Sequence, residues 1–315
     1  MNRDQKIKIA MVVCIVVLLC AVIITSTGMF GGTGIGRYAN ADQYTAGEAE
    51  LSEEISNLDV SWTSGRVTVA YHPEKTVMLR ESAKRPLSED EKVQWWVDGD
   101  TLRIQFSKPG IRMNMPEKEL TITLPEGIFL QRTSIVTTSG EIEIPQLKTD
   151  ELNLASTSGD IRAAAEVFKA ELNSTSGDSQ IRLTGRTEDL RINSTSGNLS
   201  AEAENAGIID AGSTSGSIRI SVSEAENVKA GSTSGSIETV LGKIGILNLA
   251  ATSGNVTAAL PAEPGFTAHI ETTSGDVGFD HALTRNGKEY VCGDGSAAVS
   301  ISTTSGNVRL EVSEK

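Results

Sequence analysis

The sequence predicts an all-β chain: a β-solenoid of about nine 19-residue coils with an irregular β cap, preceded by one N-terminal transmembrane helix. Three observations lead there. The tripeptide Thr-Ser-Gly occurs ten times, ending on Gly65, Gly140, Gly159, Gly177, Gly197, Gly216, Gly235, Gly254, Gly275 and Gly306. From Gly140 to Gly275 the successive gaps are 19, 18, 20, 19, 19, 19 and 21 residues, and self-similarity at a fixed short period marks a stacked repeat. Apolar residues alternate with polar ones on both sides of each glycine, and an unbroken apolar run stands near the N-terminus.

In chain order, Arg3, Lys6 and Lys8 precede the apolar residues 9–24, which Thr25 to Phe30 extend. At 1.5 Å per residue, residues 9–30 span a bilayer core of about 30 Å. The basic flank comes first, so residues 1–8 stay cytoplasmic and everything after residue 30 is extracytoplasmic. A cleaved signal peptide, with Ser26 and Gly28 at the cleavage site, is the competing reading; the length of the run favours an uncleaved signal anchor. Residues 31–50, rich in Gly, Thr, Ala and Glu without periodicity, read as a flexible stalk.

Residues 51–133 read as an N-terminal β cap containing the first repeat around Gly65. A strand pair, 93–97 and 101–106, flanks Asp98-Gly99-Asp100, a strong hairpin turn, and Leu120-Thr121-Ile122-Thr123-Leu124 is a further strand. A solenoid end is an exposed sheet edge, so terminal units are expected to be atypical.

Residues 134–315 carry the regular repeats. Seven and five residues before each glycine stand apolar pairs such as Leu190 and Ile192 or Leu247 and Leu249; two and four residues after it stand a second set, such as Ile218 and Ile220. Period 2 marks half-buried strands. The glycine reads as a sharp corner in a backbone conformation that a Cβ would penalise. Asp or Asn beside it closes the turn locally, and the serine just before it, as at Ser158, Ser215 and Ser274, shares the parity of the inward residues. An antiparallel β-meander gives the same face parity. Thr and Ser recurring at the same places favour the solenoid, in which like stacks on like as hydroxyl ladders at about 4.8 Å per coil. The longer gap before Gly306 reads as a loop over residues 280–296 inserted between repeats, holding His281, Arg285, Tyr290 and Cys292.

The serial Leu-x-(Leu/Ile/Ala)-x-Ser-Thr-Ser-Gly-(Asp/Asn)-Ile units, the segment Leu120 to Gly127 and the closing run from Gly293 to Val308 resemble the bacterial putative-adhesin family, a domain of unknown function with β-strand repeats. The resemblance covers about residues 51–313. It implies a β-solenoid in an exported or membrane-anchored setting, without catalytic residues. Some members look like accessory membrane proteins of the bacterial envelope-stress response.

Composition narrows the chemistry. A formal net charge of −13 argues against nucleic acid, whose affinity rests on Lys and Arg at phosphates. The three histidines, His72, His269 and His281, lack metal-ligand spacing, and His281 with Cys292 makes only two ligands. One glycine per repeat does not make a calcium-binding β-roll. The repeated serines lack a base within reach of each. Glu202, Glu204, Glu224 and Glu226 cluster near one corner, the pattern of a solvated turn more than of a glycosidase carboxylate pair. Trp95 and Trp96 point to opposite faces of one strand, which leaves one exposed; capping the open end of the core is the favoured role, and a sugar or a partner stacking there is the competing one.

The sequence thus leads to a membrane-anchored extracytoplasmic β-repeat protein, an adhesin or cell-envelope interaction module without catalytic activity or cofactor, whose partner is an envelope protein or a glycan. The candidate interaction residues are Trp95, Trp96, His281 and Tyr290. An accessory or regulatory role in envelope stress is the alternative, and a carbohydrate-active enzyme a more distant one.

Overall fold

A computed structural model describes residues 38–110 and 115–313. The anchor expected over residues 9–30 lies outside the described residues, and among those described no helix is long and apolar enough to cross a membrane. The described chain is all-β, apart from one 3-10 turn at Ala41–Gln43.

Each regular repeat is one long strand. Ile161–Ser174, Ser179–Ser194, Leu199–Ser213, Ile218–Ser232 and Ile237–Ser253 each carry the set after one glycine and the set before the next, bending at a far corner without breaking. Successive strands lie parallel with equivalent positions opposed, so that Leu199, Ile218 and Ile237 stack, as do Ile209, Val228 and Leu247. This parallel register rules out the antiparallel meander and makes the architecture a solenoid-like stack. Inward residues of both strand sets meet in a thin core of Ile, Leu, Val and Ala. Repeats that depart from 19 residues are accommodated at the far corner: register shifts fall between Ile144 and Leu147 and between Leu183 and Arg186. There Gly185 takes φ 73°, a conformation costly for other residues.

The Thr-Ser-Gly corner is built differently from the expectation. Of its ten glycines only Gly65 (φ 99°) and Gly275 (φ 155°) adopt positive φ, so turn handedness does not require the other eight. Stacking does. A Cβ on Gly216 would overlap the carbonyl oxygen of Gly197, and the same clash recurs from Gly159 on Gly140 to Gly306 on Gly254. The serine just before the glycine, as at Ser158 and Ser215, is exposed. The inward hydroxyl lies three residues before the glycine: Ser156, Ser174, Ser194, Ser213 and Ser232 are buried. Ser156, Ser194, Ser213 and Ser232 each accept the N–H of their own glycine at 2.8 Å. These hydroxyls bond glycine backbone, not one another, so the expected hydroxyl ladder is replaced by a backbone ladder in which Ser215 N–H donates to Thr195 C=O and Ser234 N–H to Thr214 C=O. The Asp and Asn after the glycines bond the next coil: Asp160 Oδ1 accepts the Asp178 N–H, Asp178 Oδ1 the Asn198 N–H, and Asn198 Oδ1 the Ser217 N–H.

At both ends the spatial order departs from the sequence order. Asn57–His72 lies between the pair Thr101–Gln105 and Lys118–Pro125 on one side and Leu130–Ser156 on the other. Ala297–Ser305 lies between Ile237–Ser253 and Gly265–Ser274, and Val308–Ser313 between Val256–Pro261 and Val277–Phe279. The Gly275 repeat is therefore outermost, and the Gly306 repeat is threaded beneath it.

Antiparallel strands close both ends. Gln94–Asp98 and Thr101–Gln105 form the hairpin expected at Asp98-Gly99-Asp100. The stretch expected to be a flexible stalk is ordered from residue 38: Thr45–Ala46 pairs with Trp95 and Gln94, and Ala49–Leu51 with Val77–Ala83. Residues 280–296 are not a free loop. Thr284–Asn286 and Glu289–Gly293 form a hairpin whose second strand covers the edge of Gly265–Ser274.

Candidate functional site

The hairpin at the N-terminal end decides where its two tryptophans go. Adjacent strand residues face opposite sides. Trp95 packs against the core, its indole N–H buried without a hydrogen-bond partner. Trp96 faces outward into an open groove of about 660 Å³ on the outer face of the strands that precede the glycines. Beside it stands Tyr44, with ring centroids 5.7 Å apart, and then Tyr38, 4.8 Å further, both edge to face. The phenol of Tyr38 donates to the Ser107 carbonyl at 3.3 Å. Burial pushes the Tyr44 phenol pKa up, against a hydrogen bond with Gln105.

The groove floor belongs to strands 57–61, 101–105 and 132–136, the first two of them paired on both sides. Its outward side chains are polar. Arg103 joins Asp59 at 2.8 Å and Asp98 at 3.0 Å; burial works against its charge, the two carboxylates outweigh that, and its pKa stands above the ordinary guanidinium value. Arg132 is exposed in the same groove and also borders a shallower depression with Glu151 and Arg191. Asn57, Thr101, Gln105 and Ser134 add hydrogen-bonding groups.

Of the residues singled out from the sequence, only Trp96 enters this groove; Trp95 lies behind it. Tyr290 stands at the opposite end, against Phe279 with centroids 4.6 Å apart and under Arg285. His281 lies in that same closing segment. Cys292 is buried, and burial pushes its thiol pKa up. Among the described residues no group of His, Cys, Asp and Glu is arranged to hold a metal ion. The clustered glutamates are each engaged: Glu202 by Arg182, Glu204 by the Gly185 N–H, Glu224 by Lys243 and Glu226 by Arg186. The sequence reading missed Tyr38 and Tyr44. A signal was present: two of only four tyrosines fall six residues apart in a chain with 4% aromatics.

Solved structures of similar fold include a putative adhesin of Bacteroides fragilis (15% identity, TM-score 0.43) and a putative adhesin of Parabacteroides distasonis (13%, 0.44). A putative lipid binding protein of Parabacteroides distasonis is also similar (14%, 0.43). Each alignment covers 86% of this chain and 97% of the other. No curated protein matches the sequence. The model of the Toastrack family, DUF4097, matches residues 55–311, and the chain belongs to that family.

Proposed function

We propose that the chain is a non-catalytic interaction module of the bacterial cell envelope, a β-solenoid held at the membrane by residues 9–30 with its repeats on the extracytoplasmic side, and that it docks its partner in the groove over Trp96. The apolar run and its basic flank support the anchoring. The observation that carries the docking is the row Tyr38, Tyr44 and Trp96 beside the Arg103 network in one concave, polar-walled groove. Rings with an apolar face and a wet edge suit an interface that forms and releases. The ion-paired glutamates at the far corner weigh against hydrolysis there.

Two measurements test this reading. Protease added to intact cells should digest the repeats and spare the N-terminus; protection of the repeats overturns the topology. The full chain should cosediment with isolated cell envelopes, and Trp96→Ala with Tyr44→Ala should abolish it; cosedimentation unchanged in that variant removes the groove from the function. Crosslinking that recovers only membrane-bound regulators would favour the envelope-stress role over adhesion.

A further inference from the structure

We infer that the groove over Trp96 binds an uncharged oligosaccharide, one of its sugar rings laid against Trp96 and the rest running along the polar wall. The inference rests on the proposal that this groove is the docking surface, and it names the ligand. A pyranose presents an apolar face of C–H groups and a rim of hydroxyls. It needs an aromatic plane beneath and donors and acceptors alongside, both of which the groove supplies. Trp96 supplies the ring surface, and Tyr44 and Tyr38 buttress it edge to face, with centroid steps of 5.7 and 4.8 Å. The Tyr38 hydroxyl is tied to the Ser107 carbonyl and Tyr44 is wedged between Tyr38 and Trp96, which holds the rings in place before a ligand arrives. Among the described residues the Trp96 indole N–H makes no hydrogen bond and is not buried, so it stays available as a donor.

The charges argue for a neutral ligand. Four charged residues line the groove, two of each sign: Asp59, Asp98, Arg103 and Arg132. Arg103 holds both aspartates at 2.8 and 3.0 Å, leaving carboxylate oxygens fixed as acceptors for hydroxyls. The rest of the molecule is strongly acidic, with −13 overall, and would repel a polyanion.

Other ligand classes fit less well. Strands 57–61 and 101–105 of the floor already pair on both sides, so an extended peptide finds no free edge to join there. A lipid chain needs an apolar slot, and Asn57, Ser61, Thr101, Gln105 and Ser134 line this groove with polar groups.

The test titrates the full chain, in detergent, with neutral hexasaccharides of glucose, mannose and N-acetylglucosamine, and in parallel with hexagalacturonate, a ten-residue extended peptide and phosphatidylglycerol vesicles, following heat and tryptophan emission. At least one neutral hexasaccharide should bind saturably. Trp96→Ala should weaken that binding tenfold or more, Trp96→Phe should restore it to within about threefold, and Ser215→Ala, on the exposed corner, should leave it unchanged. Circular dichroism checks that each variant is folded; should Trp96→Ala not fold, Asn57→Ala in the groove wall must weaken binding instead. Saturable binding only by the acidic sugar, the peptide or the vesicles overturns the inference, as does no binding by any neutral hexasaccharide at millimolar concentration. Envelope cosedimentation that needs Trp96 without sugar binding leaves the groove as the docking surface and rejects only the ligand. Cosedimentation that ignores Trp96 rejects the groove itself.

Discussion

The ammonium of Lys118 lies 2.6 Å from the carboxylate of Glu81, and both side chains are sealed from solvent, at 0% and 4% exposure. Around this pair the N-terminal end of the stack closes. The same ammonium donates to the carbonyls of Glu91 and Phe106 and sits 4.1 Å from the Phe106 ring centroid. Glu81 in turn accepts the Val93 N–H at 3.0 Å, and the Lys118 carbonyl accepts the Trp62 indole N–H at 3.2 Å. Trp62 occupies, in the first repeat, the position three before glycine that Ser156 and Ser213 fill elsewhere. A large ring thus plugs the column of small hydroxyls where the regular coils stop.

Removing one member of that pair leaves a buried charge without its partner, which costs about 3–5 kcal/mol. Lys118→Met and Glu81→Gln should each lower the unfolding free energy by that much, read from urea denaturation followed by tryptophan emission. The double variant should lose less than the sum of the two, and strict additivity would show that the pair is not coupled.

The corner glycines separate stacking from chain flexibility. In Gly216→Ala the new methyl meets the Gly197 carbonyl oxygen, and neither backbone has room to move. Overpacking of this kind costs about 1–3 kcal/mol and occasionally more, so that variant should unfold at a clearly lower temperature. Gly231→Ala meets nothing closer than the Ala250 carbonyl oxygen at 4.0 Å and should change stability by less than about 1 kcal/mol. Equal effects would contradict the stacking account.

Much of this was readable from the sequence, and the limits have physical causes. The period and the alternation at pairs such as Leu190 and Ile192 report burial directly, so the coils and their inward residues could be placed. The reason for the glycine could not: a close approach between coils and a left-handed turn both demand glycine, and only the neighbour's carbonyl distinguishes them. Strand order at the ends was equally hidden, because periodicity says which residues face inward and not which coil lies next door. Of the groove, Trp96 was visible as half of an unusual pair. Tyr38 and Tyr44 sit in a stretch with no repeat to give them a partner. Nothing local marks Lys118 as buried, since its counter-charge is 37 residues away at Glu81.

The two serines of one corner should behave oppositely. Ser213→Ala leaves the buried Gly216 N–H without its acceptor, a loss of about 1–3 kcal/mol. Ser215→Ala removes an exposed hydroxyl and should stay within about 0.5 kcal/mol. Paired thermal melts decide the point; a larger loss at Ser215 would restore the inward role expected for it from parity.

The end closure also has a pH signature. The Arg85 guanidinium, followed by the Ser88 N–H, holds the Glu91 carboxyl at a pKa of about 2. A depressed folded-state pKa means that the carboxylate contributes stability above its unfolded value and loses that contribution as pH falls through the folded one. The link should therefore be complete at neutral pH, contribute less stability below about pH 4.5 and be lost as pH falls through about 2. Carboxyl carbon shifts of Glu91, followed by NMR downward from pH 7, should show the group still ionised at pH 4.5; half-protonation there would mean that the ion pair does not form in solution.

The threading of Ala297–Ser305 and Val308–Ser313 beneath the Gly275 repeat has a consequence for biosynthesis. A simple solenoid can wind coil by coil as it emerges from the ribosome or the translocon. Here residues 265–279 emerge before the coil on which they must rest has been made. That stretch has to wait, unseated, until the later segment slides in against Gly254, and only then does the far end of the rod have a surface to close upon.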